Sequence, residues 1–132
     1  MREVVDTRFL MEYFYSDEAD VKQRASRKIK ELVLHKEGIL PTIVIGETIQ
    51  NVCQNIGKDE AEICFARLMK SALKIEDLTA EIAKQAGFLK SKHRDIPIGD
   101  CIIAATAIAN RAGIVSDDPH FDGIPETKRT WI

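Results

Sequence analysis

The segment Glu3-Val4-Val5-Asp6-Thr7-Arg8-Phe9-Leu10 changes character at its middle. Glu3 to Val5 is a short β-like run, Asp6 ends it, and Thr7 is placed to cap a helix that the spacing carries to about Tyr15. The rest of the chain repeats this alternation of short strands and helices. From Asp20 to Lys36 the residues Val21, Ala25, Ile29, Leu32 and Val33 recur at helical spacing, with Gly38 set as a C-terminal stop. Ile39-Leu40 reads as a brief strand, and Pro41-Thr42 opens a helix to about Asn55 that Gly57 closes. A helix over Asp59 to Ala72 follows, then a strand near Leu73-Lys74-Ile75 and a helix from about Ala80 to Lys92 capped by Thr79. Pro97 suits the first turn of a helix that ends at Ala112-Gly113, Ile114-Val115-Ser116 reads as a strand, and Arg129-Thr130-Trp131 as a last edge strand. Strands alternating with helices predict an α/β domain with a mainly parallel sheet, spanning residues 1–132 as one unit.

Composition sets the class. A chain of 132 residues can bury about two thirds of its unfolded surface, so one core is expected. Hydrophobic residues at 45% and charged residues at 30% are too apolar for a disordered chain. No apolar run approaches the roughly 18 residues a membrane-spanning helix needs, and MREVVDTRFL lacks the layout of a signal peptide, so a cytoplasmic protein with no membrane association is expected. Cys53, Cys64 and Cys101 form no Cys-x-x-Cys pair, which argues against a zinc site or a disulfide framework. They read as buried small hydrophobes, with a Cys53–Cys64 bridge left open. The net charge of −2 hides two basic zones: Lys22, Arg24, Arg27, Lys28, Lys30 and Lys36 against Glu31 alone, and Lys90, Lys92, His93 and Arg94. Each alone fits a solvated helix face or a helix C-terminus, and a phosphate-tracking surface requires them to converge.

Acids stand at four places where chemistry is possible. Asp6 follows the first strand, and Asp117 and Asp118 follow the strand Ile114 to Ser116. Ligands of open α/β sheets bind at the carboxyl ends of strands, so both positions point to one crevice. Asp before Thr or Pro is also a common cap or turn element. Asp100 sits in the first turn of an apolar, alanine-rich helix whose face is read as Ile98, Cys101, Ile102, Ala105, Ile108, Ala109 and Ala112. There it can serve the helix start alone, where free N–H groups favour an anion. Glu47, in PTIVIGETIQNV, is flanked by Ile43, Val44, Ile45 and Ile49, and is either partly enclosed or on the helix's outer side. Gly46 beside it costs about 1 kcal/mol relative to Ala, which predicts close approach by another segment.

Carboxylates gathered in a cleft repel one another, by roughly 4 kcal/mol per pair at 4 Å and an effective dielectric of about 20. A cation makes such a cluster tolerable. With only oxygen ligands, Mg²⁺ or Mn²⁺ fits, and the chemistry is metal-assisted phosphodiester hydrolysis. No Gly-rich phosphate loop occurs, and Ser16, Ser26, Ser71 and Ser91 and the histidines His35 and His93 lie in polar or charged stretches with no nucleophile–base set.

VVDTRFL with Asp6, PTIVIGETIQNV with Glu47, IPIGDCIIAATAIANRAG with Asp100 and IVSDDPHFDGI with Asp118 resemble, in order and spacing, the four motifs of PIN-domain nucleases. The chain is most similar to the VapC toxins of toxin–antitoxin pairs, over essentially its whole length. The family's last motif, Ser or Thr, any residue, Asp, two residues, Phe, selects Asp118 over Asp117. The resemblance implies a three-layer α/β/α PIN-like fold and a magnesium-dependent endoribonuclease, usually a homodimer, inhibited by a cognate antitoxin protein. It implies Asp6 and Asp100 as the main metal ligands, Glu47 and Asp118 completing the catalytic pocket, and Thr7 and Ser116 as hydroxyls that orient the carboxylates. The basic zones would then hold RNA backbone. Arg8 departs from the pattern, which usually has a small polar residue there; it removes that polar support and puts a cation near the acids. A non-catalytic PIN-like module that binds RNA or a protein is the competing class, and metal dependence separates the two. Receiver and haloacid-dehalogenase patterns fail at Arg8 and at Arg2-Glu3-Val4-Val5.

Overall fold

Val4 and Val5 are both fully buried, which is what a strand covered on both faces requires. In the computed structural model, which describes residues 1–132, they belong to β1 (Glu3–Val5), the middle strand of a five-stranded sheet. The chain continues through α1 (Thr7–Tyr15), α2 (Ala19–Leu34), β2 (Gly38–Pro41), α3 (Thr42–Asn55), α4 (Lys58–Met69) and β3 (Lys74–Glu76). It then forms α5 (Ala80–Lys92), α6 (Ile98–Ala109), β4 (Gly113–Val115), a 3₁₀ turn at Pro119–Gly123 and β5 (Arg129–Thr130). Strand order is β3-β2-β1-β4-β5, and every pairing is parallel. Val4 lies opposite Ile39 on one side and Ile114 on the other, all three buried. The edge strands β3 and β5 carry Lys74, Glu76 and Arg129, charges that suit sheet margins. Helices flank the sheet and pair as α1 with α2, α3 with α4 and α5 with α6, while α3 also touches α1 and α6.

Two helices end without the glycine that the sequence offers. After α2, Lys36 takes a left-handed φ of 56°; its N–H donates to the Val33 carbonyl, and the N–H of Glu37 donates to the Leu32 carbonyl. After α6, Arg111 at φ 51° does the same, with Arg111 N–H on Ile108 and Ala112 N–H on Ala107. Both are Schellman closures on residues that pay a steric penalty there. The nearby glycines serve packing instead. A Cβ at Gly38 would overlap Leu73 Cδ2 and stand 3.1 Å from Leu32 Cβ, so the start of β2 needs a bare backbone. Gly46, by contrast, has nothing within 4 Å of a Cβ and marks no close approach.

The buried face of α6 is also not the one read from spacing. Cys101, Ile103, Ala104, Ala105 and Ala107 are buried, whereas Ile98 and Ile108 are exposed. This helix is apolar almost all round, so periodicity alone cannot orient it; contacts with α5, α3, β1 and β4 do. On α4, Cys64 and Leu68 enter the core, while Phe65 and Met69 face outward. All three cysteines are free thiols, with Cys53 exposed and Cys64 buried, so no Cys53–Cys64 bridge exists. Trp131 packs edge-on to Phe9, with ring centroids 6.3 Å apart.

Candidate active site

The chain leaves β1 toward β2 and β3 on one side and later returns to place β4 and β5 on the other. Such a reversal opens a crevice at the carboxyl ends of β1 and β4, where neither adjoining connection covers the sheet. Asp6 stands at the end of β1, its N–H donating to the Val115 carbonyl of β4 at 3.3 Å. Ser116, Asp117 and Asp118 continue from β4 on the same edge. The second turn of α3 delivers Glu47 and the first turn of α6 delivers Asp100. Asp6, Glu47, Asp100 and Asp118 thus line one cleft of about 250 Å³, with Arg8 on its wall. Asp117 does not join them; it accepts a hydrogen bond from Arg8 Nε.

Each acid is held by a different device. Asp6 takes the N-cap position of α1, yet its side chain makes no capping hydrogen bond. It accepts instead from the Ser116 hydroxyl at 2.6 Å. Glu47 Oε1 accepts from the Thr7 hydroxyl at 2.8 Å. Its other oxygen lies where a side chain on Gly99 would be, since a Cβ there would come within 2.8 Å of Glu47 Oε2. Asp118 does double duty: Oδ1 caps the 3₁₀ turn by accepting from the His120 N–H at 2.9 Å while the residue faces the cleft. His120 Nδ1 lies 2.8 Å from Asp100 Oδ2 and 3.3 Å from Asp118 Oδ1, joining the two acids.

The electrostatics follow from this enclosure. Asp6, only 3% exposed, has its pKa pushed up to about 6, chiefly by burial, with the charges of Asp100 and Glu47 adding and the Ser116 hydrogen bond opposing. Burial likewise raises Glu47 and Asp100, against the help of Thr7 and His120 respectively. The hydrogen bond to Asp100 is the main reason His120 is raised. Three acids therefore hold their negative charge at a cost that a cation would offset. The donor set fits a divalent ion: four carboxylates line the cleft, and one carboxylate oxygen each from Asp100 and Asp118 lies with an imidazole nitrogen of His120 inside 4.8 Å of one another.

Position in the sequence singles out Asp6, Glu47, Asp100 and the Asp117-Asp118 pair, the family resemblance adds the Thr7 and Ser116 hydroxyls and the choice of Asp118, and neither assigns a part to His120, Gly99, Gln50 or Asn51. His120 carried a signal, since it lies two residues after Asp118 inside the last motif; Gln50 and Asn51, one turn beyond Glu47, also border the cleft. No residue of the two basic zones lines the cleft. Lys28 pairs with Glu3 at 2.7 Å, at the opposite end of β1 from Asp6. Lys90 Nζ donates to the carbonyls of Arg94 and Ile96 at 2.7 and 2.8 Å and so ties the loop leading to α6, and Lys92 pairs with Glu126 at 3.6 Å.

The fold is that of known toxin structures. A VapBC2 complex of Rickettsia felis bound to a promoter DNA fragment superposes with a TM-score of 0.78 at 20% identity, covering 99% of this chain and 98% of that one. DNA-bound VapBC of Salmonella typhimurium gives 0.78 at 14% identity over the same shares. VapC20 of Mycobacterium tuberculosis, a sarcin-ricin loop cleaving toxin, gives 0.73 at 20% identity, covering 93% of this chain and 95% of that one. At such identities the likeness concerns the fold. No curated protein matches the sequence. The model of the PIN domain family matches residues 4–126, from β1 past the 3₁₀ turn, and so takes in every element that supplies the cleft: the chain belongs to the PIN domain family.

Proposed function

We propose that this chain is a metal-dependent endoribonuclease that hydrolyses RNA phosphodiesters in the acidic cleft, as the toxin of a VapBC-type toxin–antitoxin pair. The observation that carries the reading is the convergence of Asp6, Glu47, Asp100 and Asp118, from four separate elements, on one polar cleft. A structural role does not account for it, because Asp6 makes no cap and burial and mutual repulsion penalise the cluster.

Asp6 and Asp100 would hold Mg²⁺ or Mn²⁺, with Glu47 and Asp118 completing the set. Bound there, the ion supplies the Lewis acidity and charge neutralisation that phosphodiester hydrolysis needs. The chain's own residues do the positioning. Ser116 fixes the rotamer of Asp6, Thr7 fixes Glu47, and His120 holds Asp100 and Asp118 in register. Several solved neighbours are toxin–antitoxin complexes, which supports a cognate antitoxin as partner. An apolar groove between α3 and α4 is lined by Ile45, Ile49, Cys53 and Phe65. No helix is long and apolar enough to cross a membrane.

The test is cleavage of a mixed structured-RNA pool in Mg²⁺ or Mn²⁺ against EDTA, beside Asp100→Asn. Cutting that needs metal and is lost in the variant is the expected result. RNA bound but never cut in any metal would leave a binding module.

A further inference from the structure

We infer that Arg8 receives a substrate phosphate in this cleft, and that Asp117 is the positioning residue that aims it; the inference rests on the nuclease reading above. Arg8 is the single cation on a wall otherwise made of acids and neutral groups. A polyanion entering such a cleft meets repulsion from four carboxylates, and a fixed guanidinium supplies attraction at the place where it is needed.

The hydrogen-bond pattern distinguishes Arg8 from an arginine used for structure. Arg129 shows the structural kind: its Nε and Nη2 grip both oxygens of Asp122 at 2.9 and 2.8 Å, and its Nη1 donates to the Ser116 carbonyl at 3.2 Å. That guanidinium is engaged on every nitrogen. Arg8 donates through Nε alone, to Asp117 Oδ1, and neither Nη is engaged within the chain. Its side chain is 57% exposed, so four of its five N–H groups remain free while the plane of the fork is fixed by one bond. A planar fork held along one edge matches two oxygens of a phosphate. The arrangement also explains the adjacent Asp117-Asp118 pair. Asp118 turns to the cleft, and Asp117 holds the cation rather than adding a fifth negative charge.

The experiment uses a fluorescein-labelled, mixed-sequence single-stranded RNA with Mn²⁺, and wild type, Arg8→Ala, Arg8→Lys, Asp117→Asn and Asp100→Asn, each checked for fold by thermal melting. Arg8→Ala is expected to lower kcat/KM by about 10- to 100-fold, the scale of one lost charged hydrogen-bond donor. In the Asp100→Asn background it is expected to flatten the dependence of log Kd on log salt by about 0.7, one phosphate contact on a single strand. Arg8→Lys should keep the salt slope and lose part of the rate, and Asp117→Asn should keep the slope and lose less rate than Arg8→Ala. Wild-type kcat/KM with an unchanged slope in Arg8→Ala overturns the inference. So does tighter Mn²⁺ binding by calorimetry without change in RNA affinity, which would make Arg8 a mere counter-charge to the acids. If wild type neither binds nor cuts RNA, or if Asp100→Asn cuts like wild type, the nuclease reading itself fails and the inference goes with it.

Discussion

At the scale of single residues, the cleft is built from side chains placed against their own preference. Asp6 is the clearest case. Its pKa is 3.8 in an ordinary setting and about 6 in the folded chain, so between those values the native state holds a proton that the unfolded state has lost. Stability must therefore fall as pH rises from about 4 to 6, and above about 6.5 the full cost, of order 3 kcal/mol, is present. Asp6→Asn keeps an oxygen for the Ser116 hydroxyl and removes the charge. The metal-free variant is expected to be more stable than wild type at pH 8 and no more stable at pH 4, by denaturant unfolding at both values. A constant difference across that range would place the cost elsewhere. Gly99 poses the steric counterpart. A methyl group there meets Glu47 Oε2 at 2.8 Å, so the carboxylate must move. Gly99→Ala should fold normally, since its backbone is ordinary helix, yet lose RNA cleavage by at least about tenfold, as sub-ångström misplacement does in such sites. Wild-type cleavage in Gly99→Ala would mean Glu47 has room to retreat without consequence.

At the scale of elements, what was legible in the sequence depended on whether the cause was local. Helix α5 was read with its cap because Thr79 does cap it, accepting from the Ile82 N–H at 3.2 Å, and the period of α2 was plain because only one side of it meets the core. The sequence places the ends of α2 and α6 at Gly38 and Gly113, and the structure closes both helices two residues earlier, at Lys36 and Arg111. Lys36 and Arg111 close those helices because the next strand must begin within two residues, a tertiary demand that no local preference announces. That makes both positions improvable. Lys36→Gly and Arg111→Gly should each stabilise the chain, by about 0.5–1 kcal/mol once the greater freedom of Gly when unfolded is subtracted. Gly38→Ala should destabilise it by about 1–3 kcal/mol, because its Cβ strikes Leu73 and Leu32. Chemical denaturation measures all three. If Lys36→Gly destabilised the chain, the aliphatic stem of Lys36 would be contributing more than the left-handed backbone costs. Asp6, Asp100 and the Asp117-Asp118 pair are legible as candidates because each sits at an element's end, whereas the part of Glu47, in the second turn of α3, and the choice of Asp118 over Asp117 rest on the family resemblance. His120 and Gly99 are not legible, since their importance lies in what stands opposite them across the cleft.

At the scale of the whole molecule, the sheet gathers charge at one edge and leaves its stability coupled to whatever neutralises that charge. Three of the acids, Asp6, Glu47 and Asp100, are raised by burial, and on the metal-dependent reading proposed above all would have to be ionised to hold the cation. Two consequences oppose each other as pH rises. The metal-free protein loses stability through the carboxylates, and its affinity for the ion grows because fewer protons compete. Ligand binding to the native state adds RT ln(1 + [L]/Kd), so at a given Mn²⁺ concentration the gain should be largest where the cation-free protein is weakest. At pH 8 an ion at about 100 times its Kd adds roughly 2.7 kcal/mol, and at pH 5, about one unit below the folded pKa of Asp6, proton competition at that carboxylate weakens binding by about tenfold and about half of that gain should vanish. Melting curves with and without Mn²⁺ at the two pH values test this, with Asp6→Asn alongside. The variant should show little metal-dependent shift at either pH, because it has lost both the ligand and the charge that made the ion necessary. An equal shift at pH 5 and pH 8, or a full shift in Asp6→Asn, would mean that the ion sits on surface carboxylates rather than in the cleft between β1 and β4.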